Sequence, residues 1–125
     1  MKLEIPFTLP GLNEYIDANR SHRQGGNAMK SKTQRAIIAA LRKQIRRPFR
    51  EPVKMRFCWY EKDRRRDKDN ISFAKKFILD ALVQMKALRN DGWNNIDGGF
   101  RDDFFVDKAQ PRVEIEITEV KRGNE

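Results

Sequence analysis

Asp67 and Asp69 stand one residue apart in the run Arg64-Arg65-Arg66-Asp67-Lys68-Asp69-Asn70, with cations on both sides, and a third acid follows in the turn Asn90-Asp91-Gly92. The chemistry such a set suits is that of a hard divalent ion. Mg²⁺ prefers oxygen ligands, keeps several waters, and is usually held by one or two carboxylates plus phosphate oxygens. An Asp-x-Asp pair can aim both carboxylates at one ion, and Asp91 can complete the site or hold a second ion. An ion so placed activates water and stabilises the leaving oxygen in phosphodiester hydrolysis. Arg64, Arg65, Arg66, Lys68 and Lys76 would offset the repulsion between the acids and hold the scissile phosphate. Lys76 is the candidate for stabilising charge on the pentavalent transition state.

The elements that must position these groups follow from periodicity. Ile71, Ala74, Ile78, Ala81, Met85 and Leu88 recur at three and four residues, which predicts a helix over 71–88 with one core-facing stripe. Asp69, Lys76 and Asp80 fall on the opposite stripe, flanked by Phe73, Leu79 and Val83, as on the wall of a cleft. The plainer reading of Asp69 is a helix N-cap; it leaves Asp67 and the rest of the stripe unexplained. Alternation of Val53, Met55, Phe57 and Trp59 with polar neighbours predicts the strand that leads into the site. Leu3, Ile5, Phe7 and Leu9 alternate as a first strand, which Pro6 marks as an edge or ends early. Ile37, Leu41 and Ile45 predict a helix over Met29 to Arg47, stopped by Pro48. Arg35, Arg42 and Arg46 lie on its other side, and Lys30 and Arg35 are candidate DNA contacts. No period is visible from Gly11 to Asn27. That stretch, with Asn13, Tyr15, Arg20, His22 and Arg23, either clamps a phosphate backbone or is disordered without one. A turn-rich segment from Asn90 to Asp103, a short strand at Phe104 to Val106, a final strand carrying Val113, Ile115 and Ile117, and a fraying tail from Lys121 to Glu125 complete the chain. This order predicts an α+β fold: a single small domain, a mixed β-sheet with two main α-helices packed on it.

Composition narrows the partners. The 125 residues make one domain, and a net charge of +9 with pI near 10.0 points to an acidic polyelectrolyte, nucleic acid ahead of membrane. The charge is uneven: residues 1–50 hold eleven Lys/Arg against three Asp/Glu, whereas residues 51–125 hold sixteen against fifteen. Cys58 is alone, which excludes a disulfide framework and a thiolate zinc site within one chain. No signal segment or membrane-length apolar run is seen, so a cytoplasmic protein without a membrane partner is expected. An EF-hand loop from Asp67 fails at Ile71 and Ser72, no phosphate-binding glycine motif occurs, and a Ser-His-Asp site would depend on His22 alone.

The string Asp63-Arg64-Arg65-Arg66-Asp67-Lys68-Asp69-Asn70, followed by Lys76, Asp80-Ala81-Leu82 and Asn90-Asp91, resembles the RusA-type Holliday junction resolvases (crossover junction endodeoxyribonucleases) of phages and prophages. The resemblance spans nearly the whole chain. It implies a small α+β homodimer that needs Mg²⁺, for which Mn²⁺ substitutes, and that nicks four-way DNA junctions in recombination and repair. Asp67, Asp69 and Asp91 would then be the metal ligands and Lys76 the helix lysine. Two departures stand: the gap from Asp69 to Asp80 is one helical turn longer than the family pattern, and Asn90 precedes Asp91 where adjacent acids are expected. A true Asp-Asp pair comes later, so Asp102 or Asp103 could replace Asp91. Paired nicks on a two-fold junction call for two sites related by a two-fold axis, hence a homodimer, with Phe73, Leu79 and Val83 as one candidate surface. The alternatives are a metal-dependent nuclease preferring other branched or flap DNA, and a non-catalytic basic DNA-binding protein.

Overall fold

The computed structural model describes residues 1–121, so the tail beyond Lys121 lies outside the described residues. The strand that leads to the acids is the centre of the sheet. In β2 (Val53–Glu61) the alternate residues Val53, Met55, Phe57 and Trp59 are at most 3% exposed, as a period of two requires of a strand with one buried face. β2 pairs antiparallel with β4 (Arg112–Glu119), setting Phe57 opposite Ile115 and Trp59 opposite Val113, and β4 pairs antiparallel with β1 (Lys2–Ile5). On its other side β2 pairs in parallel with β3 (Arg101–Val106). The order β1-β4-β2-β3 is a mixed sheet, and the α+β expectation holds.

Among the described residues four helices accompany this sheet: α1 (Leu12–Ser21), α2 (Gly25–Leu41), α3 (Lys68–Ser72) and α4 (Lys75–Gln84). Ile37 and Leu41 of α2 and Phe77, Ile78, Ala81 and Leu82 of α4 join Leu3, Ile5, Phe57, Trp59, Ile115 and Ile117 in one core. The opposite sheet face is polar and laced by ion pairs, among them Arg56 with Asp103 and Glu116, and Arg112 with Glu114.

β1 is an edge strand and ends early, at Ile5, as Pro6 leads one to expect, because proline has no N–H to continue the ladder. Other expectations need correction. Residues 11–27 are largely helical, forming α1 and the start of α2. Here a close crossing decides: a Cβ at Gly25 would collide with the Ala18 carbonyl, and one at Gly26 with the Asn19 side chain, so two glycines let α2 start against α1. The helix expected to reach Arg47 stops at Leu41. The helix expected over 71–88 is two helices. Its ladder is interrupted by short-range bonds from Ala74 N to Ile71 O, Lys76 N to Phe73 O and Phe77 N to Ala74 O. The apolar stripe survives this break, with Ile71, Ala74, Ile78, Ala81 and Leu88 buried. Of the polar stripe, Lys76 and Asp80 remain paired on α4 while Asp69 lies on α3. Leu79 is buried in the chain's own core, and Phe73 and Val83 pack against it while partly exposed.

Candidate active site

The loop between β2 and α3 is built around one arginine. Arg66 donates from Nε and Nη2 to both oxygens of Glu61 at 2.9 and 3.0 Å, and from Nη1 to the Leu9 carbonyl and Glu14 Oε1 at 3.1 and 3.0 Å. A planar guanidinium matches a carboxylate in this two-pronged way. It ties the end of β2, the segment after β1 and the first turn of α1 to the residue preceding Asp67. Burial works against the charge on Glu14, but local backbone hydrogen bonds and the Arg66 guanidinium hold its carboxyl below the usual range.

Asn70 supplies the second tie. Its side chain is 6% exposed, and its Oδ1 accepts the Asn13 N–H at 2.8 Å. α1 comes so close here that a Cβ on Gly11 would lie 2.5 Å from the Asn70 carbonyl oxygen and 2.6 Å from Oδ1. Glycine is required at this position by contact with α3.

Between these ties Asp67 is the N-cap of α3, with extended backbone (φ −70°, ψ 155°), and Asp69 lies in its first turn. The cap therefore falls on Asp67, not Asp69. Its side chain makes no capping hydrogen bond and no ion pair among the described residues, although an aspartate there ordinarily accepts from the helix N–H groups. Asp69 Oδ1 accepts only the N–H of Asn70, at 3.0 Å. Both carboxylates are exposed and open into a concavity of about 940 Å³, lined also by Glu61, Asp63, Arg64, Lys68 and Phe104. Arg64 is exposed with no hydrogen bond or ion pair among the described residues, Arg65 makes an exposed 3.6 Å pair with Asp63, and Lys68 sits 5.6 Å over the Phe104 ring.

Asp91 stands apart. It lines a neighbouring concavity with Trp93, Asp97 and Phe100, and its Oδ2 is 3.3 Å from Lys76 Nζ. Lys76 also reaches Asp80 at 3.0 Å, and Asp80 in turn reaches Lys30 at 3.1 Å. These bonds, Asp80's first and then Asp91's, raise the Lys76 ammonium above its ordinary value. Among the described residues no three acids, histidines or cysteines are gathered as a metal-holding group. Asp102 and Asp103 point to opposite faces of β3. Asp102 accepts from Trp59 Nε1 at 2.8 Å and from Lys75 Nζ at 2.6 Å on the helix side, while Asp103 is held by Arg56 and Arg101 on the polar face.

Of the candidate DNA contacts, Arg66 and Lys30 are held in internal pairs, and Tyr15 is packed against Phe73 and Phe77 with ring centroids 5.5 and 6.1 Å apart. Asn13, Arg20, Arg23 and Arg35 are exposed on or beside α1 and α2. Sequence reasoning missed Glu61 and the Lys75–Asp102–Trp59 group. Glu61 has a signal, as the acid closing an alternating strand just ahead of the arginine run; Asp102 has one only in its later pairing.

Asp67 and Asp69 fit a Mg²⁺ ion: they are hard oxygen donors, in no ion pair among the described residues, at an open recess with room for the waters that the ion keeps. Protein-family models and curated proteins were compared with the chain, and none matches it.

Proposed function

We propose that the chain is a Mg²⁺-dependent, structure-specific endodeoxyribonuclease that resolves four-way DNA junctions by paired nicks, acting as a cytoplasmic homodimer in recombination and repair. The observation that carries this reading is the Asp67 carboxylate: it occupies a helix N-cap, makes no capping bond, and opens with Asp69 into a recess edged by unpaired Arg64. Mg²⁺, or Mn²⁺ in its place, supplies an activated water and charge neutralisation at the leaving oxygen. Asp67 and Asp69 are the residues that would hold it; Asp91, tied to Lys76 at a separate concavity, is not gathered with them and would have to move to serve as a third carboxylate. Arg64 and Lys68 attract and orient the phosphate at the rim. Lys76, tied to Asp80 and Asp91, keeps its proton across the neutral range and stays a fixed positive charge on the Asp91 side of the site. Glu61, Arg66 and Asn70 position the loop and α3 without touching substrate.

The likeness to the RusA pattern supports the junction as the preferred substrate, and the net charge of +9 supports DNA as its class. The test is strand cleavage of a synthetic four-way junction beside the matched linear duplex and a flap, with Mg²⁺ or EDTA. Paired, EDTA-sensitive nicks on the junction are expected. Faster cleavage of the flap moves the reading to another branched-DNA nuclease, and junction binding without cleavage in Mg²⁺ or Mn²⁺ moves it to a DNA-binding protein. Light scattering at working concentration is expected to give twice the chain mass; a monomer counts against paired nicking.

A further inference from the structure

A further recess, carrying three cations among apolar residues, lies where α4 ends. Lys86 has φ 63°, in the left-handed region where glycine meets no steric penalty and lysine does. The N–H groups of Ala87 and Leu88 both donate to the Leu82 carbonyl, at 2.9 and 3.1 Å, and the Phe49 N–H donates to the Ala87 carbonyl at 2.9 Å. This reversal brings two distant stretches together around a concavity of about 500 Å³, with Phe49, Val83 and Leu88 in its lining and Arg50, Lys86 and Arg89 among them. No acid lines it. The side chains of these three cations are exposed and make no hydrogen bond or ion pair among the described residues. Glu119, which approaches from β4, accepts the backbone N–H groups of Arg50 and Glu51 at 3.0 and 3.1 Å. Lys86 thus holds a conformation that costs lysine free energy at a place where its charge joins those of Arg50, which Glu119 also feels, and Arg89.

We propose that Arg50, Lys86 and Arg89 grip the phosphate backbone of a duplex DNA arm at a distance from the acids. The choice of occupant rests on the nuclease reading and on charge: a recess whose charged lining side chains, among the described residues, are all cations complements a strand that enters it, whereas a flat anionic bilayer meets a convex face. The distance follows from β2. Asn95, which also lines the recess, accepts the N–H of Val53 at the start of the strand, while Glu61 at its end lines the Asp67 concavity. Eight steps of about 3.3 Å separate the two by about 26 Å. At about 3.4 Å per base pair this is about eight base pairs of arm.

The experiment measures binding by anisotropy against salt, using junctions with arms of about 20 and about 5 base pairs and a linear duplex of about 20 base pairs. Replacing Arg50, Lys86 and Arg89 together by Gln is expected to lower the slope of log K against log salt by about 2 to 3 on the long arms. It should leave the short-arm junction, which cannot reach, unchanged. Lys86→Gly alone is expected to raise Tm by about 3–5 °C while weakening long-arm binding, opposite signs that a purely structural residue would not give. An unchanged slope on long arms overturns the proposal, as does equal loss on short arms. Loss of sedimentation with phosphatidylglycerol vesicles, with DNA binding intact, also overturns it by assigning the recess to a membrane. Failure of the nuclease reading shows separately: no cleavage of any substrate, with the slope change persisting on the linear duplex.

Discussion

Replacing Arg66 by Gln tests whether this arginine holds the loop or holds DNA. Its side chain is 21% exposed and that of Glu61 12%, and the replacement removes two hydrogen bonds to Glu61 as well as those to Leu9 and Glu14. Breaking one partner of a buried pair costs about 3–5 kcal/mol, because the remaining charge is left in a poorly solvated place. Here water already reaches a fifth of Arg66, so the lower end applies, about 3 kcal/mol. With an unfolding entropy of about 2.1 cal/mol/K per residue, the chain loses about 4 °C per kcal/mol, and Tm falls by about 11 °C. In the double variant Glu61→Gln/Arg66→Gln the Glu61 carboxylate is no longer stranded while that of Glu14 still is, so only part of that loss, about 1–2 kcal/mol, should return. Thermal melts by circular dichroism on the wild type, both single variants and the double measure the cycle. An Arg66→Gln protein that melts within about 2 °C of wild type but loses DNA affinity would refute the reasoning and return Arg66 to the phosphate contacts.

Two further outcomes follow from the ties around α3 and from the polar sheet face. Gly11→Ala forces a Cβ to within 2.5 Å of the Asn70 carbonyl, so a urea midpoint lower by the equivalent of about 1–3 kcal/mol is expected; an unchanged midpoint would mean that α1 does not sit against α3. Hydrogen bonds from Arg56 and from Arg112 hold the Asp103 and Asp107 carboxyls below their ordinary value of 3.8. Their folded values lie below their unfolded ones, so the unfolded chain takes up protons first as pH falls. The stability they contribute is present above about pH 4 and is lost below it. Urea titrations from pH 6 to 3 should show that fall, and a rise in stability on acidification would contradict it.

How much of this was legible before folding depended on whether a residue's partners were near it in sequence. β2 and β4 were readable because Val53 to Trp59 and Val113 to Ile117 alternate within a few residues. Asp67 and Asp69 were readable as a pair because their spacing alone brings them to one recess. α1 was not: its short apolar stripe of Leu12, Tyr15 and Ile16 is only partly covered, and what fixes it lies far off in sequence, Phe73 and Phe77 against Tyr15, and Asn70 and Arg66 reached across 57 and 52 residues. The break between α3 and α4 was hidden because its tight turns keep Ile71, Ala74 and Ile78 facing the core while Asp69 leaves the Lys76–Asp80 stripe. Like the internal role of Arg66, the tether of Asp91 to Lys76 follows from tertiary geometry that no local pattern records.

The central claim is that Asp67 and Asp69 serve a metal ion in strand cleavage and not the fold. Asp67→Asn and Asp69→Asn, each assayed on a four-way junction in Mg²⁺ beside a binding isotherm and a thermal melt, test it most directly. The account predicts that paired nicking falls by at least about 10²-fold in each, while Tm stays within a few degrees and junction affinity is kept or raised as a negative charge leaves the recess. Cleavage at the wild-type rate in both variants would contradict it.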